Sequence, residues 1–272
     1  MFHERLKLAA FGCEAGSYKT PQLSLTYKSS TVPPWLVTIS PPLSSILILH
    51  CLSKSFPELL FASSFRNNTA KMVKIAIVYY SMYGHIKQLA DAEKAGVEKA
   101  GGTADLFQIP ETLPQDVLDK MHAPAKPTDV TVLEDPQQLL GYDGFLLGIP
   151  TRYGNFPAQW KTFWDKTGQI WSSGGYWGKK AGVFISTGTL GGGQESTALA
   201  AMSTLAHHGI QFVPLGYAKC FGQLADLSEV HGGSPWGAGT FSAGDGSRQP
   251  TPKELEVATI QGEAFYNAVK GA

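Results

Sequence analysis

The chain has 272 residues, with 22 Lys and Arg against 22 Asp and Glu, 43% hydrophobic residues, 30 glycines and three cysteines. A net charge of zero argues against a protein that holds nucleic acid by neutralising phosphates, and the hydrophobic content argues against intrinsic disorder. Cys13, Cys51 and Cys220 share no metal-ligand spacing and cannot all pair, which disfavours a disulfide framework and favours a reducing compartment, read as cytoplasmic.

The neutral total conceals two unlike parts. Residues 1–71 carry seven basic and three acidic side chains and two glycines, whereas residues 72–272 carry 15 basic, 19 acidic and 28 glycines. The boundary expected at Met72 separates a leader from a folded domain spanning 72–272. The leader's one apolar run, Trp35 to Leu52, is interrupted by Pro41-Pro42, and the uninterrupted part from Ile46 is too short to cross a bilayer. It also begins too late for a signal peptide. No integral membrane segment is therefore expected. The leader is read as disordered or as an upstream extension of a chain that starts at Met72. Its Ser-rich, acid-poor composition is also compatible with an organellar transit segment.

After Met72, strand and helix patterns alternate. Lys74 to Tyr80 is a near-continuous β-branched and aromatic run, as expected of a strand buried on both faces. A polar turn leads into a helix to about Ala100, stopped by Gly101-Gly102. Thr103 to Gln108 reads as the second strand and Phe145 to Ile149 as the third. Pro157 to Thr167 reads as a helix opened by proline. Ala181 to Ser186 is the fourth strand, followed by a Gly-rich loop and a helix ending at His207-His208-Gly209. Ile210 to Val213 is the fifth strand. Thr251-Pro252-Lys253-Glu254 is a capping box, after which Leu255, Ala258, Gly262, Phe265 and Val269 mark one face of a final helix. The expected architecture is α/β, a parallel sheet of five strands with helices on both faces.

In such sheets ligands bind beyond the carboxyl ends of the strands, and three loops there are unusual. Ser81-Met82-Tyr83-Gly84-His85-Ile86 joins the first strand to the first helix, where backbone N–H groups can grip a phosphate. It matches neither G-x-G-x-x-G nor a P-loop, so an ordinary strand-to-helix turn is the competing reading. Pro150-Thr151-Arg152-Tyr153-Gly154-Asn155-Phe156-Pro157, with two prolines, is stiff and polar, suited to a flat heteroaromatic ring, although Arg152 read alone is equally a surface charge. Ser186-Thr187-Gly188-Thr189-Leu190-Gly191-Gly192-Gly193-Gln194-Glu195 exposes backbone N–H groups, unless it is a plain linker. Trp171, in a Gly/Ser-rich segment, is either a pocket wall or a core residue. His207-His208-Gly209 has the form of a helix C-cap, the imidazoles complementing the carbonyl end of the dipole. No cluster has metal-site spacing, so no metal is expected, and no G-x-S-x-G elbow occurs.

Taken together with Leu205–Gly209 and the late stretch Gly244-Asp245-Gly246-Ser247-Arg248-Gln249-Pro250, these loops resemble the WrbA-type NAD(P)H:quinone oxidoreductases. These are flavodoxin-like FMN proteins whose fungal members include minor allergens. The resemblance runs from about Val73 to the C-terminus and does not reach residues 1–71. Leu190 makes the third loop one residue longer than the bacterial form. The resemblance implies a flavodoxin-like, doubly wound five-stranded sheet. It implies that Ser81–Ile86 bind the FMN phosphate, Pro150–Asn155 hold the isoalloxazine ring and Ser186–Gly192 complete the site. Tyr83 matches a position associated with the nicotinamide cofactor. Trp171 and His207 border the flavin face where substrates stack, with His207 supplied by a neighbouring subunit in some members. NADH or NADPH would donate a hydride and a quinone would accept it in a ping-pong sequence, within a homotetramer that limits redox stress. The competing readings are a one-electron flavodoxin-type carrier and a non-enzymatic flavoprotein scaffold.

Overall fold

In the computed structural model, which describes residues 72–271, the apolar run Lys74–Tyr79 forms β1, with every residue after Lys74 buried. The leader reading of residues 1–71 lies outside the described residues. Helix α1 (His85–Lys99) follows, and Gly101, at φ 82°, turns the chain into β2 (Thr103–Gln108). Next come α2 (Gln115–Lys120), β3 (Thr131–Val132) and β4 (Gly144–Pro150). Two short helices, α3 (Ala158–Asp165) and α4 (Gly168–Ser173), lead to β5 (Lys180–Thr187). The remainder is α5 (Gln194–His208), β6 (Gln211–Phe212), α6 (Phe221–Leu224), β7 (Gly239–Phe241) and α7 (Pro252–Lys270). Pro157 caps α3 rather than opening it. The Gly/Ser segment around Trp171 is helical in α4.

The strands run parallel in the order β3-β2-β1-β4-β5-β6, with β7 also paired to β5. The chain moves outward from β1 to β2 and β3, then returns to the other side of β1 with β4. The carboxyl ends of β1 and β4 therefore flank the topological switch point. Helices cover both faces. Ile75, Ile77, Tyr79, Leu146 and Phe184 pack beneath α1 and α7, while Ala76, Val78, Phe145, Leu147 and Ile149 face α3 to α5.

The sheet has seven strands, not the five expected. One addition is β3, a two-residue edge pairing Phe107 with Thr131 and Gln108 with Val132, too short to leave a pattern. The other is a division of the fifth strand position. β6 pairs with the start of β5 at Lys180↔Gln211 and Ala181↔Phe212, whereas β7 pairs with its end at Ile185↔Gly239 through Thr187↔Phe241. The ladder continues to Val213, whose N–H donates to the Ala181 carbonyl at 2.8 Å, and then meets Pro214, which has no N–H to donate. Residues 214–238 leave the sheet at that point.

Helix α7 is opened by the reciprocal capping box, Thr251 accepting from the Glu254 N–H and Glu254 from the Thr251 N–H. It crosses α1 backbone to backbone: a Cβ on Gly96 would lie 2.0 Å from the Thr259 carbonyl oxygen, and one on Gly262 would lie 2.1 Å from that of Glu93. Glycine is required at both because nothing larger fits between two main chains.

Candidate functional site

The first loop forms the turn its residues suggested. Gly84 caps α1 at φ 89°, a conformation that disfavours any side chain, and no side chain caps the helix. The first-turn N–H groups, which have no intrahelical partner, are left facing outward with their partial positive charge. The Gly84 N–H donates to Ser81 Oγ at 3.1 Å, which orders the turn. A Cβ at Gly84 would meet nothing within 4 Å, so there is open space before the helix end. Met82, His85 and Ile86 are buried, and Tyr83 is partly exposed, its hydroxyl donating to the Met121 carbonyl at 3.2 Å.

The second loop is a tight hairpin. Arg152 and Asn155 exchange backbone hydrogen bonds of 2.9 and 3.0 Å across Tyr153 (φ 56°) and Gly154 (φ 72°). This throws the Tyr153 ring fully into solvent. The Arg152 guanidinium donates back to the Thr151 carbonyl at 2.8 Å. Thr197 Oγ1 donates to the Gly193 carbonyl, so Thr151 Oγ1 donates to Thr197, 2.7 Å away. That bond ties the second loop to the start of α5.

The third loop leaves β5 with Ser186 and Thr187 still buried, then turns outward through Gly188 to an exposed Thr189-Leu190-Gly191 tip. Gly193, at φ 93°, caps α5, again without a capping side chain. A Cβ on Gly193 would lie 3.4 Å from the Gly154 Cα, so the second and third loops meet backbone to backbone.

Ser81, Met82, Tyr83, His85, Ile86, Pro150, Arg152, Ser186, Thr187 and Gly188 line one cavity of about 300 Å³, completed by Met121 and Ser242. Thr151, Tyr153, Gly154, Asn155, Thr189, Leu190, Gly191 and Gly192 do not line it. They form the surrounding loop framework. Met121 and Ser242 were missed by sequence reasoning. Met121 caps the end of α2, in the connection from β2 to β3, where no local sequence signal marks it; Ser242 directly follows β7, a strand without a sequence pattern.

The late stretch Gly244–Pro250 is the cavity's buttress. His85 Nε2 lies 2.8 Å from the Arg248 carbonyl oxygen and therefore carries the proton it donates. Arg248 in turn forks onto Glu254, which is fully buried, with contacts of 3.0 and 3.1 Å. The same carboxylate accepts from the Gly232 N–H and the Thr240 hydroxyl. Gln194, at the start of α5, joins this group by donating to the Thr240 carbonyl and accepting from the Gly233 N–H.

Trp171 and His207 are brought together, but not with the cavity. The Trp171 indole donates to the His207 carbonyl at 2.8 Å, and both side chains are exposed. Helix α5 begins beside the cavity and carries His207 to the amino-terminal end of the sheet, about 20 Å along its axis at 1.5 Å per residue. In a single chain the two halves of the expected site lie at opposite ends of the sheet. His208 points inward between Trp164 and Tyr176, and the C-cap is Gly209 at φ 68°. Thr167 Oγ1 donates to the Trp164 carbonyl, so His208 Nε2 donates to Thr167, leaving Nδ1 bare and without a partner. Burial, reinforced by the charge of His207, holds this imidazole below the ordinary histidine range.

Among the described residues no group of three or more His, Cys, Asp or Glu gathers as a metal site, and no helix is long and apolar enough to cross a membrane.

Residues 73–220 match the family described as NADPH-dependent FMN reductase. The chain is 69% identical over 199 residues to minor allergen Alt a 7 of Alternaria alternata, covering 73% of this chain and 98% of that one. It is 59% identical over 196 residues to an NAD(P)H quinone oxidoreductase of Candida albicans, covering 72% and 98%. Among solved structures, the flavodoxin, WrbA-like protein from Agrobacterium tumefaciens aligns with a TM-score of 0.51 at 22% identity, over 73% of this chain and 98% of that one. That likeness establishes the flavodoxin-like fold.

Proposed function

The chain belongs to the family of NADPH-dependent FMN reductases, and from that premise we propose that it is an FMN-dependent NAD(P)H:quinone oxidoreductase. The observation that carries the reading is the convergence of an uncapped helix start, a polar hairpin and a Gly-rich loop on one cavity at the sheet's switch point. Its residues fit the cofactor: the N–H groups at the α1 start suit a phosphate, and the space before Gly84 lets one approach the backbone.

The net reaction proposed is reduction of a quinone to its hydroquinone by NADH or NADPH and one proton. FMN, when bound, supplies the centre that takes up and gives out a hydride. The protein's part is to bind, orient and exclude water. Ser81 to Ile86 hold the phosphate, Pro150 to Asn155 flank the ring, and Ser186 to Gly192 close the site. Tyr83 stands on the nicotinamide side. Trp171 and His207 serve from a neighbouring copy of the chain, Trp171 as an apolar wall for a flat substrate and His207 as the group that holds or delivers a proton at the quinone oxygen. A homotetramer provides that second copy. The two substrates use one face in turn, which predicts ping-pong kinetics. Two-electron delivery avoids a quinone radical, in keeping with limiting redox stress. The proposed setting is the cytoplasm, consistent with the free, buried thiol of Cys220.

The deciding experiment is an absorbance scan for bound FMN followed by NADH and NADPH oxidation with and without benzoquinone. Quinone-dependent oxidation with parallel double-reciprocal lines is expected. A yellow protein that oxidises neither nucleotide is a carrier or a scaffold, and a colourless protein that cannot be reconstituted with FMN sinks the reading entirely.

A further inference from the structure

We propose that Lys126 is a positioning residue for the phosphate turn, holding the Ser81 carbonyl away from the anion so that the turn offers it only N–H groups. The proposal rests on reading the cavity as a flavin site. It concerns a residue that lies outside the cavity and on a different loop from the three described above.

A strand-to-helix turn carries carbonyl oxygens as well as N–H groups, and a phosphate is repelled by the former. At Ser81 the conflict is resolved by a cation outside the cavity lining. The Lys126 ammonium donates to the Ser81 carbonyl at 2.6 Å, while the Ser81 hydroxyl oxygen accepts from the Gly84 N–H. Both polar ends of Ser81 are thereby assigned, and its carbonyl is not free to rotate towards the cavity.

Lys126 is itself held from three sides. Its ammonium pairs with Glu111 at 3.1 Å and lies 4.6 Å from the centre of the Tyr80 ring. The Tyr80 hydroxyl donates to the same Glu111 oxygen at 2.8 Å, and Gln159 donates to the other at 2.9 Å. The pair is largely covered, with side chains 27% and 15% exposed, so it is screened far less than a surface ion pair. Burial alone would push the Glu111 carboxyl up, but hydrogen bonds from Tyr80, Leu113 N–H, Gln159 and Lys126 outweigh it and hold the group below the ordinary range, hence ionised. Glu111 lies between β2 and α2, and Lys126 lies between α2 and β3. The segment after α2 also supplies Met121, whose carbonyl accepts from Tyr83. That segment thus grips the phosphate turn at Ser81 and again at Tyr83.

Because the proposed effect is confined to the phosphate end, it separates FMN from riboflavin, which lacks the phosphate. Apoprotein is titrated with each flavin and binding is followed by quenching of flavin fluorescence. Lys126→Met is expected to weaken FMN roughly tenfold while riboflavin changes less than about twofold, and Lys126→Arg, which keeps a charged donor, to recover most of the loss. An equal loss for both flavins, or none for either, overturns the proposal. If Lys126→Met does not fold, Glu111→Gln decides. Both Glu111 oxygens accept from donors only, so the amide leaves some of them unmatched and loosens the anchor of Lys126; FMN should weaken more than riboflavin, and an equal change for both, or none, overturns the proposal. A wild-type chain that binds riboflavin and FMN equally overturns the phosphate-turn assignment itself, and one that binds neither overturns the flavin reading.

Discussion

The Trp171 indole N–H donates to the carbonyl of His207 at 2.8 Å, joining α4 to the last turn of α5 at the end of the sheet remote from the cavity. The bond makes one exposed surface of two residues 36 apart in the chain. If that surface serves the flavin, it serves the flavin of another copy.

Intersubunit complementation tests this. Trp171→Ala removes the wall, and Gly84→Val removes the phosphate turn by placing a β-branched side chain at φ 89°. Each variant alone should lose quinone reduction. Mixed oligomers formed by unfolding and refolding the two together should recover about a quarter of wild-type turnover, the share of site pairings with both halves intact. No recovery in verified mixed oligomers would place both halves on one chain.

Glu93 is fully buried on α1, and neither carboxylate oxygen has a partner. Burial raises its pKa well above the ordinary carboxylate range. The sign follows from linkage: with the folded value raised, the associated stability is complete below the unfolded carboxylate value and is lost as pH rises through the folded one. Glu93→Leu should therefore stabilise the protein by about 1–3 kcal/mol at high pH and by less in acid. Urea midpoints measured across pH check it, and a gap between variant and wild type that does not widen with pH counts against it.

His208 sets the opposite limb. Its folded pKa is depressed, so its neutral form is favoured and the associated stability is present above the unfolded histidine value and is lost as pH falls through the folded one. Replacing it with Phe should flatten the decline in Tm on the acid side of neutrality. An unchanged acid slope would show that other groups control it.

Arg248→Ala strands Glu254, which is fully buried, with its two guanidinium contacts removed. A loss of about 3 kcal/mol is expected, because removing one partner leaves a buried charge behind. Flavin affinity should fall as well, since the Arg248 carbonyl is the acceptor that anchors His85 beside the cavity. Chemical denaturation and FMN titration measure the two effects separately. Full stability in the alanine variant would mean that the Gly232 and Thr240 contacts suffice for Glu254.

The three cavity loops were legible because their signals are local. A glycine at φ 89°, a hairpin with two consecutive positive φ values and a Gly-rich segment after a strand each follow from a few adjacent residues. The α7 start was legible for the same reason: Thr251 and Glu254 satisfy each other within one turn. Strands β3 and β7, two and three residues long, lack the length to show periodicity. β7 stands only because β5 offers it a ladder after Pro214 has ended β6.

By itself, then, the sequence determined the alternation of strands and helices and the edge of the sheet on which a ligand binds, since propensity, capping and turn chemistry act between neighbours. Tertiary structure decided what depends on distant groups meeting. The division of the fifth strand position, the hold of Lys126 on Ser81 across 45 residues and that of Arg248 on His85 across 163 are all set by packing. So is the placing of Trp171 and His207 at the opposite end of the sheet from the cavity. The length and direction of α5 settle that, and neither residue's immediate neighbours encode it.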